Sequence, residues 1–152
     1  MIFRKLLVLF LVGLAFTSCL TPRYTTHWIV NNDSDKEVSL KMNIGRQESR
    51  NSRTRTFKIR PGLQEVGAES FSKGVYSLVA ASGEVSKTSR LYVTSDVWVI
   101  INYTEMDSAQ LLHKYGIIDM EMLQKKDGKY TGVSISTEMR KPPVLYSLKL
   151  RN

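Results

Sequence analysis

Two histidines, His27 and His113, are the side chains best suited to metal ligation or acid–base catalysis near neutral pH. Neither has a ligand-type partner close in sequence. His27 stands beside Trp28 at the start of an apolar run. His113 falls in the last turn of an expected helix, where its charged form suits the helix dipole. Both read as structural. The chain has no Gly-x-Ser-x-Gly element and no phosphate loop. Its carboxylates Glu65, Glu69, Asp107, Asp119 and Glu121 could in principle supply a glycosidase-like pair. Asp119 and Glu121, however, alternate with Ile118, Met120 and Met122, which is the pattern of a solvent-facing row. The triplets Asn32-Asp33-Ser34 and Asn102-Tyr103-Thr104 match the glycosylation signal by chance. The expectation is therefore a protein that is not an enzyme, with no catalytic residues, no metal site and no cofactor. A hydrolase is the remote alternative.

Two features point to binding instead. The first is the basic stretch from Arg46 to Arg60, which holds Arg46, Arg50, Arg53, Arg55, Lys58 and Arg60 against the single acid Glu48. Guanidinium groups fork onto phosphate and carboxylate oxygens, so these six are a candidate site for an anionic polymer or glycan. The opposing account is a solvated edge strand whose charges discourage edge-to-edge pairing. The second feature is aromatic. Trp28, Trp98 and Tyr103 would form a sugar-stacking platform if exposed, with Tyr92 and Tyr76 nearby in sequence. The competing expectation is burial, with Trp98 packed under the helix.

The start of the chain carries an address. Arg4 and Lys5 precede an apolar run from Leu6 to Phe16, the layout of a secretory signal. That run is short of the roughly 20 apolar residues a membrane-spanning helix needs. It ends Phe16-Thr17-Ser18-Cys19, which resembles the lipobox of bacterial lipoproteins, with Phe16 in place of the usual Leu. The resemblance implies that Cys19, the sole cysteine in 152 residues, receives a diacylglyceryl group and becomes the first residue after cleavage. Removing residues 1–18 takes Arg4 and Lys5 and no acid, so 134 residues remain and the formal charge falls from +8 to +6. A basic protein outside the cytoplasm meets lipid head groups and envelope polymers rather than nucleic acid. No acids follow Cys19 directly, which by the same resemblance favours the outer membrane facing the periplasm. A protein partner in an envelope assembly is the first expectation, and the anionic polymer or glycan the second.

The rest of the chain must position these groups, and it reads as strands. A tether over 19–26 leads into a domain over 27–152. His27–Val30 is a short apolar run before the turn-rich Asn31–Asp35. Val38, Leu40, Met42 and Ile44 alternate with polar residues, as a half-buried strand requires. A polar loop from Gly45 to Ser52 precedes a strand over Arg53–Ile59, stopped by Pro61-Gly62. Leu63–Phe71 is ambiguous. Gly74–Ala80 and Val85–Thr94 flank a turn at Ser82-Gly83. Val97–Thr104 is apolar on both faces and belongs in the middle of a sheet. Asp107 or Ser108 caps a helix through Tyr115, closed by Gly116. Asp127-Gly128 marks a hairpin, with Thr131, Val133 and Ile135 on its returning strand. Pro142-Pro143 then precede a final strand with Val144, Tyr146, Leu148 and Leu150. This gives an all-β, antiparallel β-sandwich of eight or nine strands with one short helix, after an N-terminal signal helix. The phrase Gly74-Val-Tyr-Ser-Leu-Val-Ala-Ala-Ser-Gly83 is similar to a stretch of transthyretin-like and PEGA-type modules. That resemblance covers about ten residues and implies an Ig-like or transthyretin-like sandwich.

Overall fold

A computed structural model describes residues 21–116 and 123–142 of the chain. The signal segment, Cys19, the Ile118–Met122 alternation and the expected strand from Val144 lie outside the described residues. Two sheets form an all-β sandwich with one short helix. In chain order the elements are β1 (Arg23–Asp33), β2 (Val38–Arg46), β3 (Ser52–Ile59), β4 (Gly62–Ser72), β5 (Gly74–Ser82), β6 (Val85–Val93), β7 (Val97–Asp107), α1 (Ser108–Tyr115), β8 (Gln124–Lys126) and β9 (Lys129–Glu138). The first sheet has the order β4-β1-β7-β9-β8 and the second β3-β2-β5-β6.

Alternation in the sequence builds the core between them. Trp28 and Val30 of β1, Leu40 and Met42 of β2, Leu78 and Ala80 of β5, and Val99 and Ile101 of β7 are all buried there. Strand β7 lies in the middle of its sheet, as its apolar run requires, with Trp98 and Ile100 half-buried on the outer face. A small second cluster of Met106, Leu111 and Tyr130, joined by Leu123, seats the helix against β7 and β9. Asp107 caps that helix: its Oδ1 accepts from Gln110 N at 2.7 Å while Gln110 Oε1 accepts from Asp107 N at 3.0 Å. Gly116, at φ 67°, closes it with an N–H bond to the Leu112 carbonyl at 2.8 Å.

One pairing departs from the antiparallel expectation: β1 and β7 are parallel neighbours. The reason is the route of the chain. It leaves β1 for the second sheet, returns for β4, crosses again for β5 and β6, and re-enters the first sheet at the end where β1 began. Two strands that start at one end run the same way. The two ends of the sandwich are thereby distinct. The near end holds the start of β1, the β2–β3 loop, the β4–β5 and β6–β7 connections and the end of β9. The far end holds the β1–β2, β3–β4 and β5–β6 turns, the helix and the β8–β9 hairpin.

Strand β1 is also longer than its apolar run. It begins at Arg23, inside the expected tether, and continues through Asn31-Asn32-Asp33. Pairing on both sides, with β4 and β7, holds these polar residues extended. Asn31 Nδ2 donates to Asn102 Oδ1 at 3.2 Å, and the buried Asn32 amide donates to the carbonyls of Lys36 at 2.8 Å and Ile59 at 2.9 Å. The ambiguous Leu63–Phe71 segment is the core of β4. A bulge in its pairing, with Trp28 opposite Gly67 but Ile29 opposite Glu65, adds one residue there. The bulge breaks the alternation that obscured this strand in the sequence.

Candidate functional site

Strand alternation distributes the six cations of the basic stretch instead of gathering them. In β3, Arg53 lies opposite Ile44 and Arg55 opposite Met42, so both stand on the side that carries Phe57 and Ile59. Lys58 lies opposite Ser39 and faces outward with Lys41. Arg46 ends β2, Arg50 sits in the near-end loop, and Arg60 sits in the far-end turn. The stretch is therefore not one basic surface. The cause is the period of two, which sends successive side chains to opposite faces.

The fold builds a different group from part of it. At the near end, a cleft of about 260 Å³ opens between the β2–β3 hairpin and the edge formed by β1 and β4. Arg23, Arg46 and Arg53 line it with several hydroxyls, and among the described residues no carboxylate lies on its wall. Arg23 is held by Ser70, with Nε 3.1 Å from Oγ and Nη2 2.8 Å from the carbonyl oxygen. Arg46 Nη2 reaches the Lys73 carbonyl at 3.4 Å, and its guanidinium lies against Gly74, where a Cβ would come within 3.3 Å. Tyr76 donates its hydroxyl to the Ser72 carbonyl at 2.8 Å. Arg55 is drawn away from the cleft into an ion pair with Glu69.

The aromatic platform does not form. Trp28 is 1% exposed and Tyr103 is 5% exposed, both within the core between the sheets. Trp28 shares the parity of Val30, and Tyr103 that of Val99 and Ile101. Trp98 alone reaches the outer face, where it stacks on His27 with centroids 4.8 Å apart and planes at 4°. It cannot pack under the helix, because it begins β7 and the helix follows the end of that strand. The Nδ1 of His27 is 3.3 Å from Glu65 Oε1.

Among the described residues, the carboxylates considered for catalysis are not paired with one another. The β4 bulge puts Glu65 and Glu69 on opposite faces: Glu65 meets His27 outside, and Glu69 accepts from Trp28 Nε1 at 3.3 Å at the inner rim. Asp107 is the helix cap, His113 lies exposed in the last helical turn, and Asp119 and Glu121 lie outside the described residues. Among the described residues, no group of three His, Cys, Asp or Glu side chains could hold a metal ion.

Glu105 is the group sequence reasoning missed. It lies at the far end, its side chain 11% exposed, beside a second cleft of about 380 Å³. Its carboxylate accepts from Tyr103 OH at 2.7 Å, Lys36 Nζ at 2.8 Å and Lys129 Nζ at 3.2 Å. The Lys36 hydrogen bond, helped by Tyr103 and Lys129, holds its pKa down to about 2 against the opposing effect of burial. Burial, then Glu105, pushes the Tyr103 phenol far above its usual range. Near neutral pH the carboxylate therefore stays ionised and the phenol stays protonated. The cluster thus joins the β1–β2 turn, β7 and β9 as a clamp. The available signal was parity: Glu105 is two residues past buried Tyr103 on the same strand face.

Comparison of the chain with protein-family models, with curated proteins and with solved structures finds no match.

Proposed function

We infer that this is a lipid-anchored binding module of the bacterial envelope, non-catalytic, that docks a protein partner along the free edge of β4. The export signal and the lipobox-like Phe16-Thr17-Ser18-Cys19 support the address. The observation that carries the docking surface is the contrast among sheet edges. Strand β4 runs for 11 residues and, among the described residues, pairs only with β1. It carries no cation of its own, though Arg55 pairs with its Glu69, and Gly67 and Ala68 are exposed at mid-strand. The edge strand β3 is guarded by Arg53, Arg55 and Lys58, β6 by Lys87 and Arg90, and β8 by its length of three residues. A partner strand added at β4 would gain main-chain hydrogen bonds.

Two experiments test this reading. Cys19→Ala abolishes labelling by a palmitate analogue and releases the protein from the membrane fraction; unchanged labelling removes the anchor. A photo-crosslinking residue at position 68, used in intact cells, captures one stoichiometric protein that the same residue at position 88, on the outer face of β6, does not. Equal capture at both positions, or capture only of this chain's own residues 143–152, contradicts docking at β4.

A further inference from the structure

We propose that the near-end cleft binds the phosphate group of an anionic phospholipid and seats the sandwich end-on against the membrane. Arg23, Arg46 and Arg53 come from three different strands, β1, β2 and β3, and line one cleft that, among the described residues, bears no carboxylate. Three guanidinium groups lining one cleft make a positive potential that favours an anion between them. Their geometry is preset. Ser70 fixes Arg23 through two hydrogen bonds, and Gly74 lets Arg46 lie flat against the main chain. Arg53 has no ion-pair partner among the described residues and is exposed at the mouth. Each guanidinium has five N–H donors in a fork that matches phosphate oxygens. Arg23 and Arg46 use only the few named above, so the rest of their donors remain available to a ligand.

The source of the phosphate follows from where the cleft lies. Lys73 N donates to the Pro22 carbonyl at 3.0 Å, which ties the first described residues to the rim of the cleft beside Arg46 and Gly74. Cys19 is three residues before Pro22, a span of at most about 11 Å of extended chain. A lipid on Cys19 therefore places this cleft at the depth of the head groups, where anionic lipids attract clustered cations. Among the described residues the acids near this end lie off the cleft wall: Glu69 pairs with Arg55, and Glu138 ends β9 opposite Trp98. Asp96 Oδ1 accepts from Thr25 N at 2.8 Å, and Glu48 sits in the β2–β3 loop, off the cleft wall. The identity of the ligand as a lipid head group rests on the lipid-anchor reading. The cleft itself does not.

The test is arginine footprinting with phenylglyoxal, read by mass spectrometry, on the protein purified from membranes and reconstituted in vesicles. Vesicles of phosphatidylcholine alone are compared with vesicles containing phosphatidylglycerol. The expected result is that Arg23, Arg46 and Arg53 react about tenfold more slowly in the phosphatidylglycerol vesicles, as charge-assisted bonds to phosphate require. Arg90, on the outer face of the second sheet, keeps its rate. Inorganic phosphate added to the phosphatidylcholine vesicles should protect weakly; full protection by it would make the cleft a free-phosphate site and overturn the head-group assignment. No protection, or equal slowing of all four arginines, overturns the cleft. Arg53→Gln should restore reactivity at Arg23 and Arg46, and Ser70→Ala, which frees Arg23, serves as the second variant if the first fails to fold. Intact mass reports the lipid on Cys19 separately. If the lipid is missing, the same vesicles added to the unacylated chain still show whether the cleft takes the head group.

Discussion

The two ends of the sandwich handle charge in opposite ways. At the far end four lysines each have an acid beside them. Lys36 and Lys129 share Glu105, Lys114 meets Asp33, and Lys126 meets Glu84. At the near end Arg23, Arg46 and Arg53 line one cleft that, among the described residues, holds no carboxylate. The far-end charges are satisfied within the chain and hold its turns together. The near-end guanidinium groups have only neutral partners among the described residues, Ser70 for Arg23 and the Lys73 carbonyl for Arg46, and Arg53 has no ion pair. Net charge alone could not separate these cases. The basic balance of +8 includes both kinds of cation, and only their placement distinguishes a clamp from a binding surface.

The largest way to break this contrast is to reverse the charge at the clamp. Glu105→Lys gathers three cations around a mostly buried position and costs about 3 kcal/mol or more, read as a lower urea midpoint. The equivalent reversal at the other end, Arg53→Glu, leaves the urea midpoint unchanged and abolishes protection of the near-end arginines. A milder change, Glu105→Gln, removes the acceptor's charge and costs about 1–3 kcal/mol at neutral pH. Its pH dependence has a definite sign. The folded pKa of Glu105 is depressed to about 2 from 4.5, so its contribution is full above pH 4.5 and is lost as the pH falls through 2. The Tm gap between the original protein and Glu105→Gln therefore narrows over that window and is widest above it. Smaller still is Gly74→Ala, whose Cβ meets the Arg46 guanidinium at 3.3 Å and pushes it from its seat. It should weaken near-end protection severalfold with little change in Tm. The least effect is expected from Lys126→Ala, which removes an exposed pair with Glu84 and leaves Tm unresolved from the original.

Local elements were legible in the sequence because each rests on nearby residues. Alternation from Val38 to Ile44, the turns at Ser82-Gly83 and Asp127-Gly128, and the cap at Asp107 all specify their own geometry. What was not legible depends on distant partners. The parallel pairing of β1 with β7 follows from the path of the whole chain. The bulge opposite Trp28 and Ile29 hid β4 and separated Glu65 from Glu69. The same limit applies to the site. Arg46 and Arg53 were visible as members of a basic run, but alternation turns Lys58 to the outer face and Arg55 is drawn into its ion pair with Glu69. The third member, Arg23, lay in a segment that reads as tether. Glu105 gave no signal beyond its parity with Tyr103, since its two lysine partners are distant in sequence.

The most direct test of the account is the same arginine footprint taken in living cells and again on protein extracted from them into neutral detergent. The account predicts that Arg23, Arg46 and Arg53 are shielded in cells and become reactive together on extraction, while Arg90 reacts equally in both. Equal reactivity of the three near-end arginines before and after extraction would contradict it, and would leave the acid-free cleft as a solvated end of the fold.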